Sequence, residues 1–336
     1  ESSFKGISQV ARAEYKLTNL NCHHCENSCA ISAMRTESGA TVYYGSRCDR
    51  YDAFGAEGAR AGQLETPFTE RQRLLFNLPE VPAGRPLVGV PRALLTYDLA
   101  PLLSAFLKEL GAGLCYSPPT NKALIERSVE RAYTDSCFPI KLLHGHVAHL
   151  LDKGVDYLLL PNAIRLGRKS GEEDQHYACP LVQAAPYIVR SVFDLGDRLL
   201  DPVIDLSRGD EALIAEFGRI ARRLGFGEAR GRQAGRLALE RQREFEASLR
   251  AAGRRILDGL AADPQAIGVV FLSRSYNAQD HGANLGMAQA LARLGVVPIP
   301  LDYLPLDKVD LSDVTDRPYW HYERKLLAAS KLIASH

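Results

Sequence analysis

The sequence predicts an α/β protein in which a small cysteine-rich module precedes a parallel, doubly wound sheet, and three observations support this. From Pro86 onward, short apolar stretches of strand length alternate with amphipathic stretches of helical length. Residues 1–65 are polar, rich in Gly and Cys, and show little such alternation. A Pro/Gly segment, Pro82–Pro86, separates the two regions. The expected organisation is a cysteine-rich module over 1–80, a first α/β lobe over 86–200, a helical connector over 201–262 and a second, smaller α/β lobe over 263–336.

Within the module, strand character is confined to short stretches such as Thr41–Tyr44, and a short helix is expected over Thr69–Phe76. The first lobe then runs strand Leu87–Val90, helix Leu99–Leu110, strand Gly113–Tyr116, helices Asn121–Arg131 and Ile140–Asp152, and strand Tyr157–Leu160. Helix Leu181–Phe193 is expected to pack on the same layer. Two stretches follow, Asp210–Leu224 and Ala229–Ala262, with Arg and Glu at spacings of three and four, which suits a solvated helical connector. The alternation resumes with Ile267–Leu272, helix Ala283–Leu294, strand Val296–Pro300 and a final helix, Trp320–Ser335. No low-complexity segment or exact repeat interrupts it.

Composition narrows the function classes. The chain has 336 residues, 46% hydrophobic and 24% charged, enough to bury a real core. Its 41 basic and 40 acidic residues leave a net charge of +1, so no global field steers it toward nucleic acid or an anionic membrane. There is no run of ~18 apolar residues and no export signal at the N-terminus, which indicates a cytoplasmic location without a membrane span. Glu1 in place of a methionine suggests a processed chain or a piece of something longer. In a reducing compartment seven cysteines argue for metal binding, catalysis or burial over disulfides.

Cys22, Cys25 and Cys29 fall within eight residues, and Cys48 follows after eighteen more. Three close thiols and one distant one form a familiar iron–sulfur layout, whereas zinc more usually pairs two C-x2-C knuckles; both metals remain open on spacing alone. A c-type haem is excluded, because Glu26 stands where the histidine would be. His23 and His24 are candidate ligands only.

Cys137 precedes Phe138-Pro139, and Cys179 directly precedes Pro180, so each cysteine is expected at or just before a helix N-cap. A thiolate or an anionic cluster gains there from free amides and the helix dipole. The repeated context marks both as candidate metal ligands, although a lone cysteine is more often a small buried hydrophobe. Cys115, inside an apolar strand, is expected in the core. Lys141 and His144 share a helical face with Cys137, where a cation would favour a reduced centre and an imidazole would deliver protons. Arg274, Asn277 and His281 lie in the loop after strand Ile267–Leu272, at a strand's carboxyl end where α/β sheets bind ligands, and Arg92 occupies the same position after the first strand.

Several segments together resemble the 2-hydroxyacyl-CoA dehydratase-related domain of acyl-CoA dehydratase activase-related proteins. They are Pro91-Arg92-Ala93, Ser117-Pro118-Pro119-Thr120-Asn121, Cys137 through Lys141 with His144-Gly145-His146, Cys179-Pro180, and Tyr276-Asn277 through Asp280 with Asn284-Leu285-Gly286. The resemblance implies two flavodoxin-like (Rossmann-like) lobes holding an iron–sulfur centre, fed by an ATP-hydrolysing activator that carries its own 4Fe-4S cluster. Relatives of that family include benzoyl-CoA reductase-type enzymes and double-cubane cluster proteins, whose 8Fe-9S centre takes six cysteines. Six are on offer here: Cys22, Cys25, Cys29, Cys48, Cys137 and Cys179. The rival division places one 4Fe-4S cluster, or a zinc ion, on the first four, and a second site on Cys137 and Cys179.

The chain departs from the family pattern at Ser275, where proline is frequent, and contains no G-x-x-x-x-G-K-[ST] loop, so ATP hydrolysis is assigned to a separate chain or to a missing N-terminal part. The expected activity is that of an iron–sulfur oxidoreductase reducing a small substrate, with a homodimer allowed. The alternatives are a dehydratase-like or electron-relay component, and a non-enzymatic scaffold stabilised by zinc.

Overall fold

The computed structural model describes residues 15–23, 28–36, 41–46, 51, 64–76, 86–132, 135–167 and 175–335. Cys25, His24, Cys48 and most of the Pro82–Pro86 segment lie outside them.

The module contains more regular structure than its sequence suggested. Strands β1 (Tyr15–Asn21), β2 (Ala30–Thr36) and β3 (Thr41–Tyr44) form an antiparallel sheet in the order β1-β2-β3. All seven β1 residues are exposed, so no apolar alternation marks it as a strand. Cys22, Cys29 and Ile31 are buried together against Tyr43 and Tyr51. Helix α1 (Pro67–Phe76) follows and buries Phe68, Arg71 and Leu75.

Four parallel strands make the principal sheet: β4 (Leu87–Val90), β5 (Gly113–Tyr116), β6 (Tyr157–Leu159) and β8 (Leu199–Leu200), ordered β5-β4-β6-β8. The chain passes from β4 outward to β5 and then returns across β4 to β6, which creates a switch point beside the carboxyl ends of β4 and β6. This α/β architecture with several parallel sheets is consistent with the expected Rossmann-like, flavodoxin-like class. Helix α2 (Thr96–Leu110) joins β4 to β5, and α3 (Lys122–Arg131) and α4 (Phe138–Asp152) join β5 to β6. Strand β7 (Asn162–Arg165) pairs in parallel with β9 (Val203–Asp205). The single expected helix Leu181–Phe193 is broken into α5 (Pro180–Gln183) and α6 (Ala185–Val192), where Pro186 opens the second.

Helices α7 (Asp210–Arg223) and α8 (Glu228–Ala262) correct the expectation of a solvated connector. Their charged residues face water, but Leu213, Phe217 and Ile220 of α7 are buried, as are Ala234, Ala238, Leu239 and Leu249 of α8. Phe217 packs on Phe106 of α2 with ring centroids 4.4 Å apart. Small residues bring α8 close: a Cβ at Gly253 would lie 1.8 Å from the Tyr303 carbonyl oxygen. Leu239 belongs to the main core and Leu249 to a second core with Ile299, Tyr303 and Ala328, so one 35-residue helix joins both. Strands β10 (Gly268–Phe271) and β11 (Val297–Pro300) form a parallel pair. Around them lie α9 (Ser275–Ala278), α10 (Met287–Arg293) and α11 (His321–Ala334). No described helix is long and apolar enough to cross a membrane.

Candidate functional site

The loops at the carboxyl ends of β4, β5 and β10 meet in a buried polar network. Arg92 follows β4, and its amide donates to Ser117 Oγ at 2.8 Å. Ser117 Oγ lies 2.8 Å from His146 Nδ1, and His146 Nε2 lies 3.0 Å from Thr120 Oγ1. Thr120 Oγ1 donates to Asp280 Oδ2 at 2.5 Å, while Asp280 Oδ1 accepts from the amides of Gly282 and Ala283. Burial pushes the Asp280 carboxyl up, opposed by these hydrogen bonds. Burial also depresses His146, to about 3, with Arg92 and His149 adding to the effect, so the imidazole is neutral at physiological pH. Gly282 is required here, since a Cβ would lie 2.2 Å from the Thr120 carbonyl oxygen. The network fastens the loop containing Arg274 and His281 onto the principal sheet.

Cys137 and Cys179 are the N-caps of α4 and α5, as their prolines foretold. Helix α4 feeds parallel strand β6, so its N-terminus lies at the sheet's carboxyl edge. The Cys137 carbonyl accepts from Ile140 and Lys141, and the Cys179 carbonyl from Val182 and Gln183, while neither thiol makes a capping bond. Cys137 is exposed and Cys179 half-buried. Tyr276, 5% exposed, lies within electrostatic range of both thiols. Arg274, the N-cap of α9, donates from Nη1 to the Tyr276 hydroxyl at 3.1 Å and lies within electrostatic range of the Cys179 thiol. Burial pushes the Tyr276 phenol up to about 12, partly offset by Arg274, so it keeps its proton.

The other candidates fall elsewhere. Lys141 Nζ is bound to Asp135 at 2.6 Å on the surface. His144 is 3% exposed, and its Nδ1–H donates to the Ile140 carbonyl at 2.9 Å, with the ring beside Phe193. Its side chain is thus tied to its own helix in the core, a correction to its expected role at a centre on Cys137, because the face shared along α4 turns inward one turn later. Asn277 is exposed. His281 is held below the ordinary histidine value by burial and by Arg92. Cys115 is half-buried against the main core. Tyr276, Thr120 and Asp280 were visible in the motifs, but only the tertiary contacts single them out. Their signal was position in loops at strand carboxyl ends.

Cys22 and Cys29 face each other across the β1–β2 turn, where the Cys22 amide donates to the Cys29 carbonyl at 2.8 Å. Among the described residues, no group of three or more His, Cys, Asp or Glu side chains is arranged to hold a metal ion.

Residues 87–304, which contain the whole principal sheet and the loop from Ser273 to Asn284, match the family model described as the CoA enzyme activase uncharacterised domain. The chain belongs to this family. The match bears out the expected relation to acyl-CoA dehydratase activase-type proteins and covers Cys137, Cys179, Arg274 and Tyr276 of this activase-related chain. No curated protein and no solved structure matches it.

Proposed function

We propose that this activase-related chain is the cluster-bearing redox component of an ATP-dependent system, with Cys137 and Cys179 holding part of an iron–sulfur centre. One observation carries the reading: two cysteine N-caps with prolines in the first helical turn, distant in the chain, both lie within electrostatic range of the Tyr276 phenol, to which Arg274 is hydrogen-bonded. The donor set fits the group in part. Two soft sulfur ligands and a guanidinium that offsets anionic charge suit a cluster, but a cubane takes about four cysteines. The remaining ligands would be Cys22, Cys25, Cys29 and Cys48, divided three and three over an 8Fe-9S double-cubane, or retained as a separate 4Fe-4S site.

When bound, the centre would store low-potential electrons for reduction of a small substrate. The chain's own residues would act around it. Arg274 would supply a cation to the centre, and Tyr276, protonated at physiological pH, would hold a proton within electrostatic range of it. The Thr120–Asp280 bond keeps the Arg274 loop in register. Electrons would come from a separate ATP-hydrolysing 4Fe-4S activator, and the acceptor would be a dehydratase-type or reductase-type reaction in the cytoplasm. The division into a module, two lobes and a helical connector is part of the same reading.

Anaerobic purification followed by iron, sulfide and electron paramagnetic resonance analysis tests this. Brown protein whose iron content falls in Cys137→Ala and Cys179→Ala supports it, and full iron retention in the double variant overturns it. A second reading, zinc on the module, is favoured by one feature: Cys22 and Cys29 are buried together beside the paired ends of β1 and β2. Colourless protein with one bound zinc would select that alternative.

A further inference from the structure

We infer that the cleft between α8 and the C-terminal segment binds an amphipathic organic anion, at a site distinct from the two thiols. The cleft encloses about 450 Å³, within the range of small-molecule sites. Leu99 and Leu102 of α2 and Leu239, Phe245 and Leu249 of α8 form an apolar wall, continued by Leu304 and Leu306. Its charged lining includes Arg250 and Lys325, while Arg243 is paired with Asp210, and the lining carboxylates are Asp98, Glu246, Asp302 and Asp307.

The inner wall adds the more telling feature. Arg71, on α1, is 1% exposed and donates from Nε and Nη2 to Asp302 Oδ2 at 2.9 and 2.5 Å, but its Nη1 has no partner. His321 Nδ1, on the same cleft, also lacks one. A guanidinium nitrogen so deeply buried and unpaired is costly, and a ligand acceptor reaching it removes that cost. Ligand class follows by elimination. A neutral apolar molecule leaves the Arg71 Nη1 donor without an acceptor, an inorganic anion leaves the leucines wet, and a cation offers that donor no acceptor. An alkyl chain with an oxyanion head satisfies all three surfaces, and carboxylate and phosphate share that chemistry.

The site also has a route to the thiols. Asp98 lines the cleft and accepts from Ser275 Oγ at 2.5 Å and from the Tyr322 hydroxyl at 2.8 Å; Ser275 directly follows Arg274. The inference itself does not depend on which metal the cysteines hold.

Isothermal titration of the full chain with octanoate, octyl phosphate, octanol and inorganic phosphate tests it. The expected result is one-to-one binding of at least one of the two amphiphilic anions, at least tenfold tighter than octanol or inorganic phosphate. Binding of octanoate alone assigns a carboxylate head, and of octyl phosphate alone a phosphate head. The rim variant Arg250→Glu/Lys325→Glu weakens the binding at least tenfold with an unchanged circular dichroism melt, and Arg250→Ala, which perturbs the fold less, weakens it at least threefold. The inference is overturned if neither anion binds, if octanol binds equally well, or if Arg250→Ala binds as the parent does.

Discussion

The Thr120 hydroxyl donates a 2.5 Å hydrogen bond to Asp280 Oδ2 and so joins two loops 160 residues apart in the chain. Both groups are almost fully buried, at 0% and 2% exposure, so the bond is made away from competing water. It decides where Arg274 and Tyr276 stand relative to Cys137 and Cys179.

Thr120→Val keeps the shape and deletes the hydroxyl, leaving both Asp280 Oδ2 and His146 Nε2 without their partner. A loss of about 2 kcal/mol in unfolding free energy is expected by urea denaturation, since an orphaned buried acceptor costs about 1–3 kcal/mol. A loss below a few tenths would show that the two loops are held by other contacts.

His146 makes stability depend on pH. Its folded value of about 3 lies below the ordinary 6.5, so between those limits the unfolded chain takes up a proton that the folded chain refuses. The contribution is present above pH 6.5 and is lost as the pH falls; at pH 5, 1.5 units below the unfolded value, the loss is about 2 kcal/mol. Burial raises Asp98 and Asp280, which acts in the opposite sense, so the comparison is with His146→Gln. The two stability curves should run parallel above pH 6.5 and converge or cross below it.

Phe217→Ala should cost about 3–5 kcal/mol, because it removes a fully buried ring stacked near Phe106 and leaves a cavity. Thermal and chemical denaturation measure this. A change under 1 kcal/mol would restore the solvated-connector view of α7 and α8.

Arg274→Ala removes the cation that is hydrogen-bonded to Tyr276 and within electrostatic range of Cys179. With the proposed centre in place, its midpoint potential should fall by about 60 mV, equivalent to ~1.4 kcal/mol for a one-electron couple. Redox titration followed by paramagnetic resonance reads the shift, and Arg274→Lys should recover part of it. An unmoved potential would assign Arg274 to loop structure alone.

Much of the fold was legible in the sequence. Strands Leu87–Val90 and Gly113–Tyr116 are bounded as expected, because short apolar runs between breakers have few other places to go. Strand β1 was missed, since an exposed strand carries no burial pattern; β2 was missed although Ile31 and Ala33 are buried in alternation, and Leu199–Leu200 is too short to show a pattern. The charged character of α7 and α8 masked small and apolar residues that form a buried stripe, as Ala234, Ala238 and Leu239 do on α8. The sequence alone determined that Cys137 and Cys179 would cap helices, because proline restricts the local backbone of each site independently of the rest of the chain. That both thiols lie within electrostatic range of Tyr276, that His144 turns into the core, and that Arg71 is buried with an unpaired nitrogen were decided only by tertiary structure. Convergence of loops distant in the chain depends on strand order and on buried hydrogen bonds such as Thr120–Asp280, neither of which has a local signature.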